Sequence, residues 1–355
     1  MVIIHLSSTL GGGGAEQMVL QLAKQSNANI KTIVISLSDT NIGLESRFQD
    51  HNIEYHLLGV NSFRNSTLIS GLKKLKKIID AEDEVVLHSH MYHGFLLGLI
   101  YKLCYKNIPI VFTLHSSAIE NFGRKLMLHL TKPFRKQDIV FSNNAKMWYL
   151  KKNSEVIPNG VNFDELAPAK KRVFNSNDVF IFLYLGRLNT EKNPLQMVSA
   201  AQQLLKHNIN NFVINFVGGG IMHDELVDSI ESNNLSKHFN ILGFQNDIKP
   251  FLAEAHCLVL PSLWEGMPVV LIEAAAAKLP IVSTPVGSIP DFLNDSNAYV
   301  TELDTFHKSM IDVYEDYDLA LQKSAKLYTE IESQFKIENV FAKHLSVYQK
   351  SLKTN

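Results

Sequence analysis

The sequence predicts an α/β protein of two doubly wound domains that face each other across a cleft. Short β-branched segments alternate with amphipathic segments of helical period, which indicates parallel sheet with crossover helices. The same alternation starts again after about residue 176. With 355 residues, 46% of them hydrophobic, the chain is long enough to form two cores.

The first half of the chain contains six predicted strands with helices between them. In chain order the strands are VIIHLSS, IKTIVISLS, EVVLHSH, IPIVFTLHS, DIVFSNN and SEVIPNG. Apolar residues recur with helical spacing in AEQMVLQLAKQ and LISGLKKLKKIID. We therefore predict a first domain over residues 1–165.

The second half repeats this plan and is predicted to form a domain over residues 176–337. Its predicted strands are VFIFLYLGRL, FVINFVGGG, FNILGF, HCLVLPSL and PIVSTPVG. Its predicted helices are NPLQMVSAAQQLLKH, MHDELVDSIESNN, IKPFLAEA and PVVLIEAAAAK. The polar segment 163–177 has neither period, so it is predicted to be the linker. The last segment, about 338–355, is predicted to be an amphipathic helix.

Composition excludes several classes of protein. The 34 basic and 35 acidic residues nearly cancel, which argues against a general affinity for nucleic acid. Cys104 and Cys257 lie far apart in apolar segments, which argues against a disulfide framework and favours a reducing compartment. The N-terminal residues do not resemble a signal peptide, and no apolar run is long enough to span a bilayer. We therefore expect a cytoplasmic protein.

The segment WEGMPVVLIEAAAAKLP, residues 264–280, places two acids around the start of an apolar helix. Pro268 is favourable at the first helical position, which predicts free amides on residues 269–271 and hence an anion site. Glu265 precedes this site, and Glu273 lies about a turn and a half along the helix. Two carboxylates that flank a diphosphate site suit a nucleotide sugar, because they can accept hydrogen bonds from its hydroxyls. The spacing is equally typical of an ordinary helix acid and a solvated loop acid.

Two cations, Arg187 and Lys192, follow a predicted strand in YLGRLNTEKNP. At the carboxyl end of a parallel sheet they could neutralise a leaving diphosphate. The alternative is a pair of solvated loop cations, which is the commoner situation for charged loop residues. The alternative weakens because the acids and the cations fall on loops at the same edge of one domain.

A glycine run, TLGGGGAEQ, follows the first predicted strand. Glycines at such a turn let the backbone approach a phosphate or a sugar. The spacing matches neither the dinucleotide fingerprint nor the phosphate-binding P-loop. A tight structural turn therefore remains an equal alternative.

Four histidines lie near predicted strand ends: His88, His90, His93 and His115. No cysteine or acid completes a zinc set with the first three, so no metal site is predicted. We expect these imidazoles either to hydrogen-bond sugar or acceptor hydroxyls or simply to pack at the strand ends.

Two basic amphipathic stretches, 71–79 and 123–136, lie in the first domain. Apolar residues opposite lysines and arginines suit a helix that rests on an anionic membrane. An ordinary solvated helix face is an equally good interpretation of each alone. Because the two stretches occur together in one domain, we also expect a peripheral membrane contact, on the inner face of the cytoplasmic membrane.

Across nearly its whole length the chain resembles family 4 glycosyltransferases, whose two-Rossmann architecture is called GT-B. The resemblance rests on GGGGAEQ, TLHSS, VIPNGVN, LGRLNTEKNP, VGGG, LGFQNDI and PSLWEGMPVVLIEAAAAKLPIVSTPVG. It implies a retaining transfer from a nucleotide-diphosphate sugar, without a metal or other cofactor. It also implies a C-terminal helix that crosses back to the first domain.

The resemblance implies roles for individual residues. Arg187 and Lys192 would bind the diphosphate, Glu273 the ribose diol, and Glu265 the hydroxyls of the donor sugar. His115 would lie beside the transferred sugar. The other implied donor contacts come from Gly13, Gly14, Phe244, Gln245, Gly266, Met267 and Val269. Residues considered for the acceptor side are Glu16, His88 and His90.

The sequence thus predicts a retaining glycosyltransferase that uses a nucleotide sugar, with UDP favoured as the nucleotide. The transferred group would be a hexose or N-acetylhexosamine, and the acceptor a hydroxyl of a glycan or lipid-linked oligosaccharide in bacterial surface polysaccharide synthesis. Two alternatives stay open. One is a nucleotide-sugar epimerase or hydrolase on the same double-Rossmann plan, and the other is a non-catalytic nucleotide-sugar-binding protein.

Overall fold

A computed structural model describes residues 1–40, 42–115, 119, 121–168, 170, 172–175 and 178–353. The chain divides into two compact units. The N-terminal unit comprises Met1–Gly160 together with Ile337–Asn355, and the C-terminal unit comprises Val161–Lys336.

The N-terminal unit contains a parallel sheet and the helices that connect its strands. Its strands are β1 (Val2–Ser7), β2 (Lys31–Ser36), β3 (Glu54–Leu57), β4 (Val85–His90), β5 (Ile110–Thr113), β6 (Gln137–Val140) and β7 (Glu155–Val156). Its helices before the chain leaves the unit are α1 (Gly14–Ala23), α2 (Glu45–Asp50), α3 (Ser66–Asp80), α4 (Met91–Cys104) and α5 (Phe122–Leu130).

The C-terminal unit repeats the alternation of strand and helix. Its strands are β8 (Phe180–Leu185), β9 (Phe212–Val217), β10 (Phe239–Ile241), β11 (Cys257–Leu260), β12 (Ile281–Ser283) and β13 (Tyr299–Val300). Its helices are α6 (Phe163–Leu166), α7 (Gln196–Lys206), α8 (His223–Ser232), α9 (Lys249–Glu254), α10 (Val269–Ala276), α11 (Phe306–Glu315) and α12 (Tyr317–Phe335). The chain then returns to the N-terminal unit as α13 (Ile337–Lys353).

Both sheets are doubly wound, as the sequence predicts. The N-terminal order is β3-β2-β1-β4-β5-β6-β7 and the C-terminal order is β10-β9-β8-β11-β12-β13, with parallel pairing throughout. The strand order therefore reverses between β1 and β4 in one unit and between β8 and β11 in the other. Ligands of such sheets bind beyond the carboxyl ends of the strands at this switch point.

Each sheet is covered on both faces, which explains why its strands are nearly continuous apolar runs. In the N-terminal unit, α3 and α4 pack on one face around Leu75 and Phe95, and α1 and α13 pack on the other around Ile3 and Val340. In the C-terminal unit, α7, α8 and α11 cover one face, and α9, α10 and α12 cover the other.

The boundary between the units differs from the predicted one. The first unit ends at Gly160 instead of residue 165, and the predicted linker 163–177 begins with helix α6, which packs in the core of the C-terminal unit through Phe163. The boundary lies there because the chain passes from one unit to the other twice, after Gly160 and after Lys336, and the segments at these two crossings pair with each other. The amide of Val161 donates to the Phe335 carbonyl at 2.9 Å, and Val161 forms a parallel bridge with Lys336.

Candidate active site

The switch point of the C-terminal sheet brings together one predicted cation and one predicted acid. Lys192 lies in the loop after β8 and Glu265 in the loop after β11, and the Lys192 ammonium forms an ion pair with the Glu265 carboxylate. Ser262 Oγ donates to the same carboxylate at 2.7 Å. The Glu265 side chain is only 7% exposed, and that of Lys192 is half-buried. Glu265 is therefore neither a solvated loop acid nor an uncommitted base.

A buried tyrosine shapes the loop that carries Lys192. The Tyr184 hydroxyl lies 3.1 Å from the Arg187 carbonyl and 3.2 Å from the Lys192 carbonyl, to which it can donate. Burial, followed by the nearby Glu265 charge, raises the pKa of Tyr184, so the hydroxyl keeps its proton. The Asn189 side chain accepts from the Lys192 amide at 3.1 Å. Sequence reasoning missed Tyr184 because it reads as an ordinary core residue of β8.

The loops after β8, β9 and β11 hold one another in place. The amide of Leu263 donates to the Glu191 carbonyl at 2.8 Å, which ties the two loops that carry Lys192 and Glu265. Gly218 has a φ of +142°, and a Cβ there would lie 1.9 Å from the Gly186 oxygen. Only glycine fits this close approach, so part of the VGGG motif serves the packing of the site.

Arg187 lies in the same loop but is not part of the buried pair. Its side chain is 72% exposed, and its guanidinium lies 3.7 Å from the Glu191 carboxylate. An ion pair of this kind in solvent contributes little to stability. The structure therefore places the two predicted cations in one loop while giving them different surroundings.

The start of α10 differs from the prediction in two details. Pro268 is the N-cap, so the helix begins one residue later than expected, at Val269. The Leu271 amide donates to the Pro268 carbonyl at 3.1 Å, so it is not among the free amides. Ser288 Oγ donates to the Gly266 carbonyl at 2.6 Å and supports the turn before the helix. Glu273 lies half-buried in the second turn of α10.

Four other predicted donor-binding residues lie in loops at the same edge of the sheet. Phe244 and Gln245 follow β10, the edge strand, and Phe244 is exposed. Gln245 Nε2 donates to the Leu242 carbonyl at 2.7 Å. Gly266 and Met267 lie between Glu265 and the α10 N-cap.

The glycine run of the N-terminal unit forms the start of α1. Gly13 is the N-cap and Gly14 the first helical residue, and both are exposed. A Cβ at Gly14 would meet nothing within 4 Å, so packing inside the unit does not require glycine there. Gly12 of the same run has a φ of +98°, a conformation that favours glycine, so the tight-turn alternative also stands. Glu16 accepts from Thr9 Oγ1 at 2.7 Å, which holds its carboxylate beside the turn.

Two of the four predicted histidines, His90 and His115, form a hydrogen-bonded chain with His5, which the sequence did not indicate. His5 Nδ1 lies 2.9 Å from His90 Nε2, and His90 Nδ1 lies 2.7 Å from His115 Nε2. His5 and His90 are buried and His115 is half-buried. The strand register places His5 of β1 beside His88 of β4, so His5 could have been found once β1 and β4 were known to be neighbours.

His88 is held separately by α13 and β5. Its Nδ1 lies 2.8 Å from the Tyr348 hydroxyl, and its Nε2 lies 2.8 Å from Thr113 Oγ1. Burial raises the pKa of Tyr348, so the hydroxyl is protonated and can donate to His88. Because its ring nitrogens are occupied inside the unit, His88 fits the packing interpretation better than the acceptor-binding one.

The histidine group that could hold a metal is not the one suggested by sequence spacing. His5, His88 and His90 have ring nitrogens within 4.8 Å of one another, whereas His93 stacks on Phe63 at 6.1 Å. In the part of the chain that the structure describes, this group contains no carboxylate or thiolate. Except for His5 Nε2, its ring nitrogens lie within hydrogen-bonding distance of one another or of neighbouring side chains, an arrangement typical of a packed imidazole cluster.

Burial keeps these imidazoles neutral. Desolvation, with smaller contributions from neighbouring histidines, lowers the pKa of His5 and of His115 to about 3. The same causes hold the pKa values of His88 and His90 well below the usual range. Burial likewise lowers the pKa of His344, on α13, to about 4. At neutral pH each ring therefore carries a single proton and acts as donor at one nitrogen and acceptor at the other.

Comparison with known proteins decides the family. The description "Glycosyltransferase Family 4" matches residues 12–165, and "Glycosyl transferases group 1" matches residues 167–330. The chain is 31% identical over 282 residues, 71% of its length and 73% of the relative's, to the Escherichia coli UDP-Gal:alpha-D-GlcNAc-diphosphoundecaprenol alpha-1,3-galactosyltransferase. The chain belongs to the family 4 glycosyltransferases. The resemblance inferred from the motifs is thereby confirmed.

One further relative and one solved structure extend the comparison. It is 25% identical over 316 residues to the Staphylococcus aureus capsular polysaccharide biosynthesis glycosyltransferase CapH, covering 83% of this chain and 85% of the relative. The solved structure of Anabaena Alr3699/HepE in complex with UDP matches with a TM-score of 0.83 and 17% identity, covering 99% and 100% of the two chains. That likeness shows the GT-B fold, in which each unit is a Rossmann-like domain.

Proposed function

We propose that this glycosyltransferase moves a hexose or N-acetylhexosamine from a UDP-sugar to a hydroxyl of a glycan or lipid-linked acceptor, with retention at the anomeric carbon. The observation that carries the proposal is the buried Lys192–Glu265 pair at the switch point of the C-terminal sheet. The UDP-galactose donor and diphosphoundecaprenol-linked acceptor named for the Escherichia coli relative support it. Bacterial surface polysaccharide synthesis is the proposed setting, on the inner face of the cytoplasmic membrane.

The proposed donor site follows the order of groups in a nucleotide sugar. Lys192 and Arg187 neutralise the diphosphate, Glu265 accepts from sugar hydroxyls, and Glu273 accepts from the ribose diol. The first amides of α10 add hydrogen-bond donors for the diphosphate. Phe244 provides an exposed aromatic surface for the base. No metal or other cofactor is assigned to the reaction.

The proposed transfer uses no protein nucleophile. Glu265 already accepts from Lys192 and Ser262, which makes it a poor candidate for attack on the anomeric carbon. In the proposed step the acceptor oxygen forms a bond to the anomeric carbon while the bond from that carbon to the diphosphate breaks. An oxygen of the departing diphosphate takes the acceptor proton. Lys192 and Arg187 stabilise the charge that develops on the leaving group.

A test with and without acceptor separates the proposal from its alternatives. Incubation with a panel of nucleotide sugars should release UDP at full rate only when a lipid-linked acceptor extract is added. An epimerase or a hydrolase would turn over the donor without acceptor, and a sensor would bind it without turnover. The anomeric configuration of the product, read by NMR, then decides between retention and inversion.

Replacing Glu273 with glutamine should weaken UDP binding about tenfold to hundredfold, because ribose hydroxyls would lose a charged acceptor. The measurement is titration calorimetry with UDP. Glu254→Gln, an exposed acid on α9 of the same unit, is the matched control and should leave the affinity unchanged. Equal UDP affinity in Glu273→Gln and the unaltered chain would remove the ribose role.

Of the two basic stretches, 71–79 and 123–136, the first is the weaker candidate for the proposed membrane contact. In α3, which contains all of 71–79, the apolar residues Leu72, Leu75 and Ile79 are buried in the core, which favours an ordinary solvated role for its basic face. The structure describes no helix long and apolar enough to cross a bilayer. For the contact we therefore propose another surface of this unit.

Helix α5 and its neighbours present such a surface. We define the α5 patch by its exposed apolar side chains, which are Phe122, Leu126, Leu130, Phe134 and Trp148. The Phe122 and Trp148 rings lie 6.4 Å apart, so the patch continues across two segments of the chain. Arg124, Lys125 and Lys132 belong to the same basic stretch. Apolar side chains beside basic ones suit the surface of an anionic membrane.

Replacing Leu130, which is 65% exposed, with glutamate should weaken binding to vesicles of phosphatidylglycerol and phosphatidylethanolamine about tenfold. The reason is that the patch would lose an apolar contact and gain a repelled charge. Vesicle sedimentation measures the bound fraction. Ile69→Glu on α3, where Ile69 is 57% exposed, is the control and should bind like the unaltered chain. Equal effects of both substitutions would contradict the assignment to α5.

A further inference from the structure

The chain of histidines in the N-terminal unit links the centre of its sheet to its carboxyl edge. His5 lies on β1, His90 ends β4, and His115 follows β5, so the three rings cross the switch point of this sheet. Each neighbouring pair shares one hydrogen bond, at 2.9 Å between His5 and His90 and 2.7 Å between His90 and His115. Because each bond needs one donor and one acceptor, the tautomers of the three rings are coupled.

Two arrangements of protons satisfy this chain. In the first, His5 Nδ1 donates to His90 Nε2 and His90 Nδ1 donates to His115 Nε2, which leaves the proton of His115 on Nδ1. In the second, every donor and acceptor is exchanged, and His115 carries its proton on Nε2. The two arrangements differ at the buried end of the chain, at His5 Nε2.

The buried end favours the first arrangement. His5 Nε2 is buried and finds no hydrogen-bond partner among the residues that the structure describes. In the second arrangement this atom would be an N–H donor without an acceptor, whereas in the first it is only a lone pair without a donor. Buried donors without acceptors are rarer in proteins than buried acceptors without donors.

We propose that His5 and His90 are positioning residues that hold His115 in the Nδ1–H tautomer, so that this N–H donates to a hydroxyl oxygen of the bound substrate. The substrate contact rests on the proposed function, whereas the tautomer rests on the hydrogen-bond chain alone. Neutral histidine in water prefers the Nε2–H tautomer, so the chain imposes the less common form on His115. His5, which is buried and two rings away from His115, thus decides whether His115 donates to the substrate or accepts from it.

The neighbouring groups are consistent with a neutral chain that orients His115. His88 and His344 lie beside it, with ring centroids 5.3 Å apart for His5 and His88 and 5.7 Å for His88 and His344. His344 Nδ1 lies 2.9 Å from the Val340 carbonyl, to which it can donate, so it is committed within its own helix. Desolvation lowers the pKa of each of these histidines, so none adds a positive charge to the chain near neutral pH.

The proton positions can be read directly by NMR on the full chain labelled with ¹⁵N in histidine. Two-bond proton–nitrogen correlations should show His115 protonated on Nδ1 and unprotonated on Nε2. His90 should show the same pattern. Protonation of His115 on Nε2 in the unaltered chain would overturn the proposal. So would binding of zinc by His5 and His90, because the metal would need the lone pairs that the hydrogen bonds use.

Two substitutions of His5 give a matched pair. In His5→Asn the side-chain amide nitrogen lies near the position of Nδ1 and can still donate to His90, whereas in His5→Gln it lies near the position of Nε2. We expect His5→Asn to keep the Nδ1–H tautomer of His115 and His5→Gln to shift it toward Nε2–H. An unchanged His115 tautomer in a folded His5→Gln variant would contradict the coupling.

Turnover then tests the substrate contact. His5→Gln should lower kcat about tenfold to hundredfold, the usual size of an effect from a residue that orients a site residue. His5→Asn should stay within about threefold of the unaltered chain, since it preserves the tautomer. Equal losses in both variants would indicate a packing role and overturn the positioning role. If the unaltered chain transferred no sugar from any nucleotide, the proposed function would fail, while the NMR result would still decide the tautomer.

Discussion

Replacing Lys192 with methionine should lower the rate of sugar transfer about hundredfold to thousandfold, the usual effect of removing one preorganised group that stabilises transition-state charge. Methionine preserves most of the volume of the side chain while removing its ammonium. The measurement is kcat with the UDP-sugar identified by the panel and the lipid-linked acceptor extract. A Lys192→Met variant with full turnover would show that the leaving diphosphate does not depend on this cation.

The same substitution should also destabilise the C-terminal unit by about 3 kcal/mol, because it leaves the buried Glu265 carboxylate without its cation. The double variant Lys192→Met/Glu265→Gln should recover most of this stability and none of the activity. Denaturant unfolding of both variants separates the two effects. Recovery of activity in the double variant would mean that Lys192 acts only by neutralising Glu265.

Arg187→Met provides the matched comparison in the same loop. Arg187 is largely exposed, so its loss should leave the free energy of unfolding within about 0.5 kcal/mol of the unaltered chain. Its proposed contact with the diphosphate should still lower kcat. Loss of turnover without loss of stability would separate the electrostatic role of this loop from its structural one.

Lowering the pH from 7.5 to 5 should destabilise the N-terminal unit, at pH values above those at which carboxylates usually titrate. His5 and His115 have folded pKa values of about 3, and His344 of about 4, against 6.5 in the unfolded chain. Below pH 6.5 the unfolded chain therefore binds more protons than the folded one, so stability falls as pH falls and levels off near the folded pKa values. Each such histidine contributes a loss of about 2 kcal/mol by pH 5.

Unfolding of the N-terminal unit can be followed by the fluorescence of a single tryptophan. The chain has two tryptophans, Trp148 in the N-terminal unit and Trp264 in the C-terminal unit, so Trp264→Phe leaves one reporter. Urea unfolding of that variant should show the loss of stability between pH 7.5 and 5. Adding His344→Gln should reduce proton uptake on unfolding by about one. A Trp148 transition independent of pH would contradict the buried neutral cluster.

Local sequence patterns predicted the two doubly wound sheets and the loops that carry the candidate site. Strand and helix periodicity depend on neighbours within a few residues, and so do the glycine turn and the cations of LGRLNTEKNP. The family motifs then located Glu265, Glu273 and the turn before α10. The start of α10 and the boundary at Gly160 were predicted only to within a few residues, because caps and chain crossings depend on specific hydrogen bonds.

By itself, then, the sequence determined the architecture and the family, and it predicted the loops that carry the candidate site. Only the tertiary structure decided which side chains meet. Lys192 and Glu265 are 73 residues apart and His5 and His90 are 85 apart, and both pairs form because the strand order reverses between their strands. Likewise, α3 and α5 are both basic and amphipathic, yet the apolar face of α3 packs in the core and that of α5 is largely exposed. The physical reason is that periodicity records which face of an element is apolar, whereas strand order and packing decide what that face contacts.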